Sequence, residues 1–253
     1  MSVSNNHLLQ LLNTLLRPDK VKDFCPNGLQ VEGKNTVAKL VTGVTASQAL
    51  IDHAVAINAD AILVHHGYFW KGESACITGM KKRRIQSLLH HDINLYAYHL
   101  PLDIHPLLGN NAQLARLFGI VDISPLEENN PQSVVMQGRF DGGISPSKLT
   151  QLISTELSRD PLYEAGENHT IETVAWCTGG GQSYIELAAE KGIDAYITGE
   201  VSEQTIHTAR EMGIHFYAAG HHATERYGVK ALGEYIQTEF GVETVFVDID
   251  NPA

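Results

Sequence analysis

The chain has 253 residues, 43% hydrophobic and 19% charged, which is enough for one large or two modest domains with real cores. Its 29 acidic against 18 basic side chains give a net charge of −11, which on average repels phosphate backbones and excludes general nucleic-acid binding. No apolar run is long enough to span a bilayer, and the start of the chain lacks the basic and apolar regions of a signal peptide.

In chain order, leucines at 8, 9, 11, 12, 15 and 16 predict a helix over 5–16, stopped by Pro18. A strand over 39–45 and a helix over 47–57 follow, with Ser47 as N-cap. Next come a strand over 61–65, a helix over 83–91, a strand over 95–99 and a helix over 111–118. The basic strip Lys81-Lys82-Arg83-Arg84 reads as a solvated helix start. Beyond it the plan restarts. Helices are expected over 146–158, 184–190, 203–212 and 223–240, and strands over 172–177, 195–198, 215–219 and 242–247. Alternation of this kind predicts α/β architecture with mainly parallel sheets and flanking helices.

The two halves correspond residue by residue. The stretch 58–63, NADAIL, matches 192–197, GIDAYI, and 93–99 resembles 214–221. Asp60 to His99 spans 39 residues and Asp194 to His221 spans 27; the difference of 12 is the length of the loop 69–80, which the second half lacks. A diverged internal duplication is expected: two similar lobes, 1–128 and 129–253, meeting near 126–131, with the last helix able to pack back on the N-terminal lobe. The alignment sets His221 at the position of His99.

Ligands in α/β sheets collect beyond the carboxyl ends of the strands. His65 and His66 end one predicted strand, and His99 ends the next. Pro101 forces a turn that sends His99 and Asp103 out of the sheet. His221 and Glu225, four apart, share one helical face at a strand-to-helix junction. Glu200 and His207 form a weaker fourth cluster. Imidazole with carboxylate suits zinc, manganese, iron, cobalt or nickel. Five or six such donors exceed what one tetrahedral ion needs, and bridging carboxylates suggest two ions. Cys25, Cys76 and Cys177 are scattered, without a C-x-x-C pair, and fit free thiols in a reducing cytoplasm. His222 points away from His221 and reads as an outer group, and His90 and His91 as surface residues. Tyr68, Phe69 and Trp70, with Lys71, either stack a purine beside a phosphate contact or simply pack. Gly179-Gly180-Gly181 either offers N–H groups to an anion or makes a tight turn.

Several segments carry a family resemblance: Asn27–Gly33 (NGLQVEG), VHHGYFWKG at 64–72, NLYAYHLPLDIHPLLGNNAQLA at 94–115, CTGGGQS at 177–183, DAYITGE at 194–200 and GHHATERYG at 220–228. They run across nearly the whole chain. The sequence resembles the YbgI-like branch of the Nif-three-like dinuclear metal-centre family, the GTP cyclohydrolase type 2 homologues. The resemblance implies two divalent metal ions between the lobes, held by His65, His66, Asp103, His221 and Glu225. His99 would be close by, and His99 and Glu200 would be the groups available for proton transfer. It also implies a ring-shaped homohexamer and hydrolytic opening of the imidazole ring of GTP, a small-molecule nucleotide substrate, by a metal-activated hydroxide. Many relatives carry tyrosine where His222 stands, which keeps His222 out of the ligand set. Two other readings stand beside this one: a non-catalytic ring that binds metal, stores it or docks a partner, and a metal-dependent phosphoesterase.

Overall fold

The computed structural model describes residues 1–253. In chain order the elements of the first part are β1 (Val3–Ser4), α1 (Asn5–Leu16), β2 (Gly28–Val31), β3 (Thr36–Val37), β4 (Lys39–Thr45), α2 (Gln48–Ala56), β5 (Ala61–His66), α3 (Gly79–His90), β6 (Asn94–Ala97), α4 (Leu100–Asp103) and α5 (Asn110–Phe118). There follow β7 (Val121–Pro125), β8 (Met136–Ile144), α6 (Pro146–Leu157), β9 (Leu162–Glu164), β10 (Ile171–Cys177), α7 (Ile185–Glu190), β11 (Ala195–Thr198), α8 (Glu203–Met212), β12 (His215–Ala218), α9 (His221–Phe240) and β13 (Glu243–Phe246). No helix is long and apolar enough to cross a membrane.

The chain divides into two compact units. Unit 1 comprises 1–109 and 228–250, and unit 2 comprises 110–227 and 251–253. The division falls before α5, whereas the sequence placed it near 128. Packing explains the difference: Leu114, Ala115 and Phe118 of α5 lie in one buried cluster with Ile153 and Trp176.

Unit 1 holds a five-stranded sheet in the order β13-β4-β5-β6-β2, parallel except for β2 at one margin. Helix α1 shows how sequence produces this layer. Ser4 Oγ accepts the His7 N–H at 3.2 Å, and Arg17 takes a left-handed conformation just before Pro18. Between those ends Leu8, Leu12 and Leu16 recur every fourth residue and are buried. Each contributes roughly 1.5–3 kcal/mol by leaving water. They pack with Tyr96 and Leu63 of the sheet and with Val229, Leu232 and Ile236 of α9. Ser47 caps α2, as its position predicts, by accepting the Leu50 N–H at 3.3 Å.

Unit 2 holds a six-stranded sheet in the order β7-β8-β10-β11-β12-β9. Its centre, β10-β11-β12, is parallel, while β7, β8 and β9 run antiparallel to their neighbours. The strand β8 escapes sequence reading because its nine residues, MQGRFDGGI, show no sustained apolar alternation and carry two glycines at positive φ, Gly142 and Gly143, just before the last residue.

The duplication is visible in individual hydrogen bonds. Asp60 Oδ2 accepts the N–H groups of Ala38 and Lys39 at 2.9 and 3.0 Å. Asp194 Oδ2 accepts those of Glu172 and Thr173 at 3.0 and 2.8 Å. Gly33 N–H donates to Asn94 Oδ1, and Gly166 N–H donates to His215 Nδ1. This register corrects one expectation. Ala61 pairs with Asn94 and Ala195 with His215, so the counterpart of His99 is Gly220, and His221 stands one residue further on. Burial opposes ionisation of Asp194, but its backbone and side-chain donors outweigh that and hold the carboxyl below its usual range. We expect Asp194→Ala to cost about 2–3 kcal/mol in urea unfolding at pH 7, since two strand N–H groups lose their acceptor. A depressed carboxyl stabilises only above its ordinary pKa, so this deficit should shrink as pH falls below about 4.

Candidate metal-binding centre

In unit 1 the donors gather beyond the ends of β5 and β6. One ligand atom each from His65, His66 and His99 lie within 4.8 Å of one another. His65 is fully buried and its Nδ1–H donates to the Tyr98 carbonyl at 3.0 Å. That bond fixes the tautomer and leaves the lone pair on Nε2. Asp103 Oδ1 lies 3.5 Å from this Nε2, and Asp103 is itself buried. Asp103 closes α4, the short turn that begins with Leu100-Pro101. His66 Nδ1 lies 3.3 Å from Thr45 Oγ1 on the neighbouring strand.

His99 has a partner that sequence reading missed. Its Nδ1–H donates to Asp23 Oδ1 at 2.7 Å, and its backbone N–H donates to Asn27 Oδ1 at 2.7 Å. Asp23 Oδ2 also accepts Asn27 Nδ2 at 2.9 Å and the Leu100 N–H at 3.0 Å. Burial would raise the Asp23 carboxyl, but the His99 bond, His99 charge and other donors outweigh it and hold the group below the carboxylate range. Cys25 is close by, yet burial first and the Asp23 charge second push its thiol up to about 12, so it stays protonated.

The aromatic loop packs on this cluster. Trp70 meets the His99 ring edge-on with centroids 4.8 Å apart, and its Nε1–H donates to the Gly67 carbonyl. Phe69 carries the Lys81 ammonium 4.7 Å above its ring. Lys71 is exposed. Gly67 permits the arrangement, because a Cβ there would overlap Gln30 and Ala97.

In unit 2, the first turns of α9 present His221 and Glu225 on one face, as their spacing of four predicts. His221 Nδ1–H donates to Glu200 Oε1 at 2.7 Å, and His221 Nε2 lies 3.2 Å from Glu225 Oε2. Glu225 is buried. The glycine turn exists to admit these groups. A Cβ on Gly179, at φ +65°, would overlap Glu225 Oε1 and stand 3.0 Å from His221 Nε2. The Gly179 and Gly181 N–H groups donate to Thr224 and Thr198 hydroxyls at 3.0 and 3.1 Å, so the tight-turn reading holds over the anion-binding one. His207 is exposed on α8 and joins no donor group; His222 is buried and its N–H donates to the Ala253 carbonyl.

These donors fit a cation. His65 turns a lone pair toward a carboxylate oxygen, an arrangement that a positive charge satisfies. At His221 the same demand appears as a proton. Burial alone would lower its pKa, but Glu225 first and Glu200 next lift it to about 9. The sign follows. A raised histidine pKa stabilises the metal-free fold fully below about 6.5, and that contribution fades as pH climbs through about 9. We expect the chelator-treated protein to lose melting temperature from pH 6.5 to 9. Affinity for an ion held at His221 should rise over the same window, because such an ion would have to displace that proton. Unfolding curves with and without chelator test both signs.

A repeated α/β plan with a histidine–carboxylate cluster in each unit defines a class of protein whose side-chain groups could hold metal ions. The profile of the Duf34/NIF3 (NGG1p interacting factor 3) family matches residues 3–252, so the chain belongs to that family, and its relatives place it in the YbgI-like branch. A Haemophilus influenzae protein named GTP cyclohydrolase 1 type 2 homolog is 58% identical over 253 residues, covering 99% of this chain and 100% of that one. The solved structure of protein ybgI, titled as of unknown function, is 55% identical with a TM-score of 0.95, over 99% of this chain and 100% of that one. A solved structure from Thermus thermophilus is 34% identical with a TM-score of 0.87 over the same shares.

Proposed function

We propose that the protein is a metal-dependent hydrolase with a dinuclear centre, with His65, His66, Asp103, His221 and Glu225 as ligands. The observation that carries this reading is His221 held between two carboxylates, matched in unit 1 by the His65 lone pair directed at Asp103. Bound divalent ions would supply Lewis-acid activation of water near neutral pH. The names of the relatives favour opening of a guanine imidazole ring, as in GTP. His99, oriented by Asp23, is the proton-transfer group: Nδ1–H is committed to the carboxylate and Nε2 can take or give a proton. Glu200 orients His221 through Nδ1 and stands as the second proton acceptor, with 44% of its side chain exposed. A ring-shaped homohexamer completes the proposal; light scattering that gives a monomer would refute it.

The test is elemental analysis of untagged protein followed by incubation with GTP. About two metal equivalents per chain are expected for a two-metal site, with formate release. Metal without formate release from GTP, or turnover of generic phosphoesters, turns the reading toward metal storage or toward a phosphoesterase. Near-zero metal after reconstitution refutes the centre itself.

A further inference from the structure

The segment Asn27–Gly33 (NGLQVEG) belongs to no donor group, yet its side chains run to the loops around His99. Strand β2 pairs with β6 through Leu29 opposite Tyr96 and Val31 opposite Leu95. Two steps along β2 therefore match one step along β6, and Gln30 is the extra residue of a bulge. A bulge releases one residue from the ladder and re-aims its side chain. The Gln30 amide engages main chain at three points. Its Oε1 accepts the Tyr68 N–H at 2.7 Å, and its Nε2–H groups donate to the Tyr68 carbonyl at 3.1 Å and the Pro26 carbonyl at 2.8 Å. Both main-chain polar groups of Tyr68 are thus paired with one side chain, as a neighbouring strand would pair them. Gly67 admits this approach, since a Cβ there would overlap Gln30 Oε1.

Pro26 and Tyr68 lie in the two loops that touch His99. Pro26 stands in sequence between Asp23, which accepts the His99 Nδ1–H, and Asn27, which accepts the His99 main-chain N–H. Tyr68 leads into Phe69 and Trp70, and the Trp70 ring meets the His99 ring edge-on. Phe69 sits at φ +66°, a left-handed conformation that a bulky side chain adopts only where its surroundings impose it. Those surroundings are explicit. Gln30 fixes the residue before Phe69, the Trp70 N–H after it donates to Glu73 Oε2 at 3.1 Å, and the Lys81 ammonium lies over its ring. One main-chain bond, from the Lys71 N–H to the Phe24 carbonyl at 2.6 Å, also joins the two loops.

We propose that Gln30 is a positioning residue: its amide couples the loop that orients the His99 imidazole to the loop that sets Trp70 against it, and so fixes His99 from both sides. Its importance for turnover rests on the hydrolase reading above, in which His99 moves the proton; its hold on Trp70 does not. The amide is needed because it carries both functions. Glutamate would keep the acceptor for the Tyr68 N–H but turn oxygen toward two carbonyls, and methionine would keep the volume without either group.

The experiment replaces both tryptophans, Trp70 and Trp176, by 5-fluorotryptophan and reads the full chain by fluorine NMR, with Trp70→Phe assigning the lines. Trp176 is fully buried in the core of unit 2 and serves as the internal reference. In Gln30→Met and Gln30→Glu the Trp70 line is expected to broaden or to move toward the position of the free amino acid, while the Trp176 line stays in place. With formate release from GTP as the assay, both variants should lower kcat by about tenfold with KM little changed, the mark of lost orientation at a reacting group. A Trp70 line unchanged in shift and width in Gln30→Met overturns the proposal, because the Lys71–Phe24 bond then suffices to hold the loops. A Gln30→Glu protein that matches the unsubstituted one also overturns it, since the two donated bonds would be dispensable. Joint collapse of both lines would make Gln30 a general packing residue, and a displaced Trp70 line beside an unchanged kcat would remove its effect on His99. The fluorine lines need neither metal nor turnover. A metal-free protein whose Trp70 line still depends on Gln30 would refute the metal centre and leave the coupling of the two loops standing.

Discussion

Glu225→Ala should empty the proposed metal centre. Glu225 is the buried carboxylate of the unit 2 cluster, 3.2 Å from His221 Nε2, and each divalent ion must recover its lost hydration from charged donors. Elemental analysis should fall from about two equivalents per chain to well under one. The metal-free fold should also weaken, by about 1–3 kcal/mol, because His221 keeps only one of its two carboxylates. The pH window of that stability should move as well, since the first cause lifting the His221 pKa is gone. Glu225→Gln separates the effects. It keeps the shape and can still hydrogen-bond His221, so most of the stability should return while metal binding does not. A Glu225→Ala protein that retains two equivalents would remove Glu225 from the ligand set.

Gly179→Ala should be strongly damaging for the addition of one methyl group. Three costs combine. The backbone sits at φ +65°, where a Cβ costs about 1–2 kcal/mol. The new Cβ would overlap Glu225 Oε1, and Glu225 is packed too tightly to yield freely. The turn itself cannot retreat, because Gly179 N–H donates to Thr224 Oγ1 at 3.0 Å and its carbonyl accepts Thr198 Oγ1 at 3.2 Å. We expect a loss of about 2–4 kcal/mol together with loss of metal. The neighbouring Gly180→Ala is the control. Its Cβ would meet nothing nearer than Glu200 Oε2 at 3.5 Å, so its cost should stay under about 1 kcal/mol. Equal effects at the two positions would show that the turn adapts and that close approach is not what Gly179 provides.

Residue type and local spacing made much of this protein legible. Leucines every fourth residue before Pro18 specify α1, and Ser47 before an apolar helix specifies its cap, because both signals act within one or two turns of chain. Two histidines at the end of an apolar strand, and His221 four residues before Glu225, announce donors because a strand end or one helical face is enough to aim them. The repeated Asp-Ala segments at 60 and 194 announce the duplication, and each aspartate buttresses the strand beside it in the same way.

What the tertiary structure decided is what depends on groups far apart in sequence. Asp23 reaches His99 across 76 residues, and Glu200 reaches His221 across 21. No local periodicity encodes either pairing, yet these carboxylates fix which way each imidazole turns, with Nδ1–H toward the carboxylate. The antiparallel strands β7, β8 and β9 of unit 2 likewise depend on edge pairing with strands already formed, which a polar, glycine-bearing segment does not signal by itself. The one-residue offset between His99 and His221 is a matter of register, set by main-chain hydrogen bonds between strands. Sequence alone therefore determined which side chains offer donor atoms suited to a cation, because donor chemistry belongs to the residue. Their tautomers, partners and spacing came only from the fold, because those belong to contacts made across the chain.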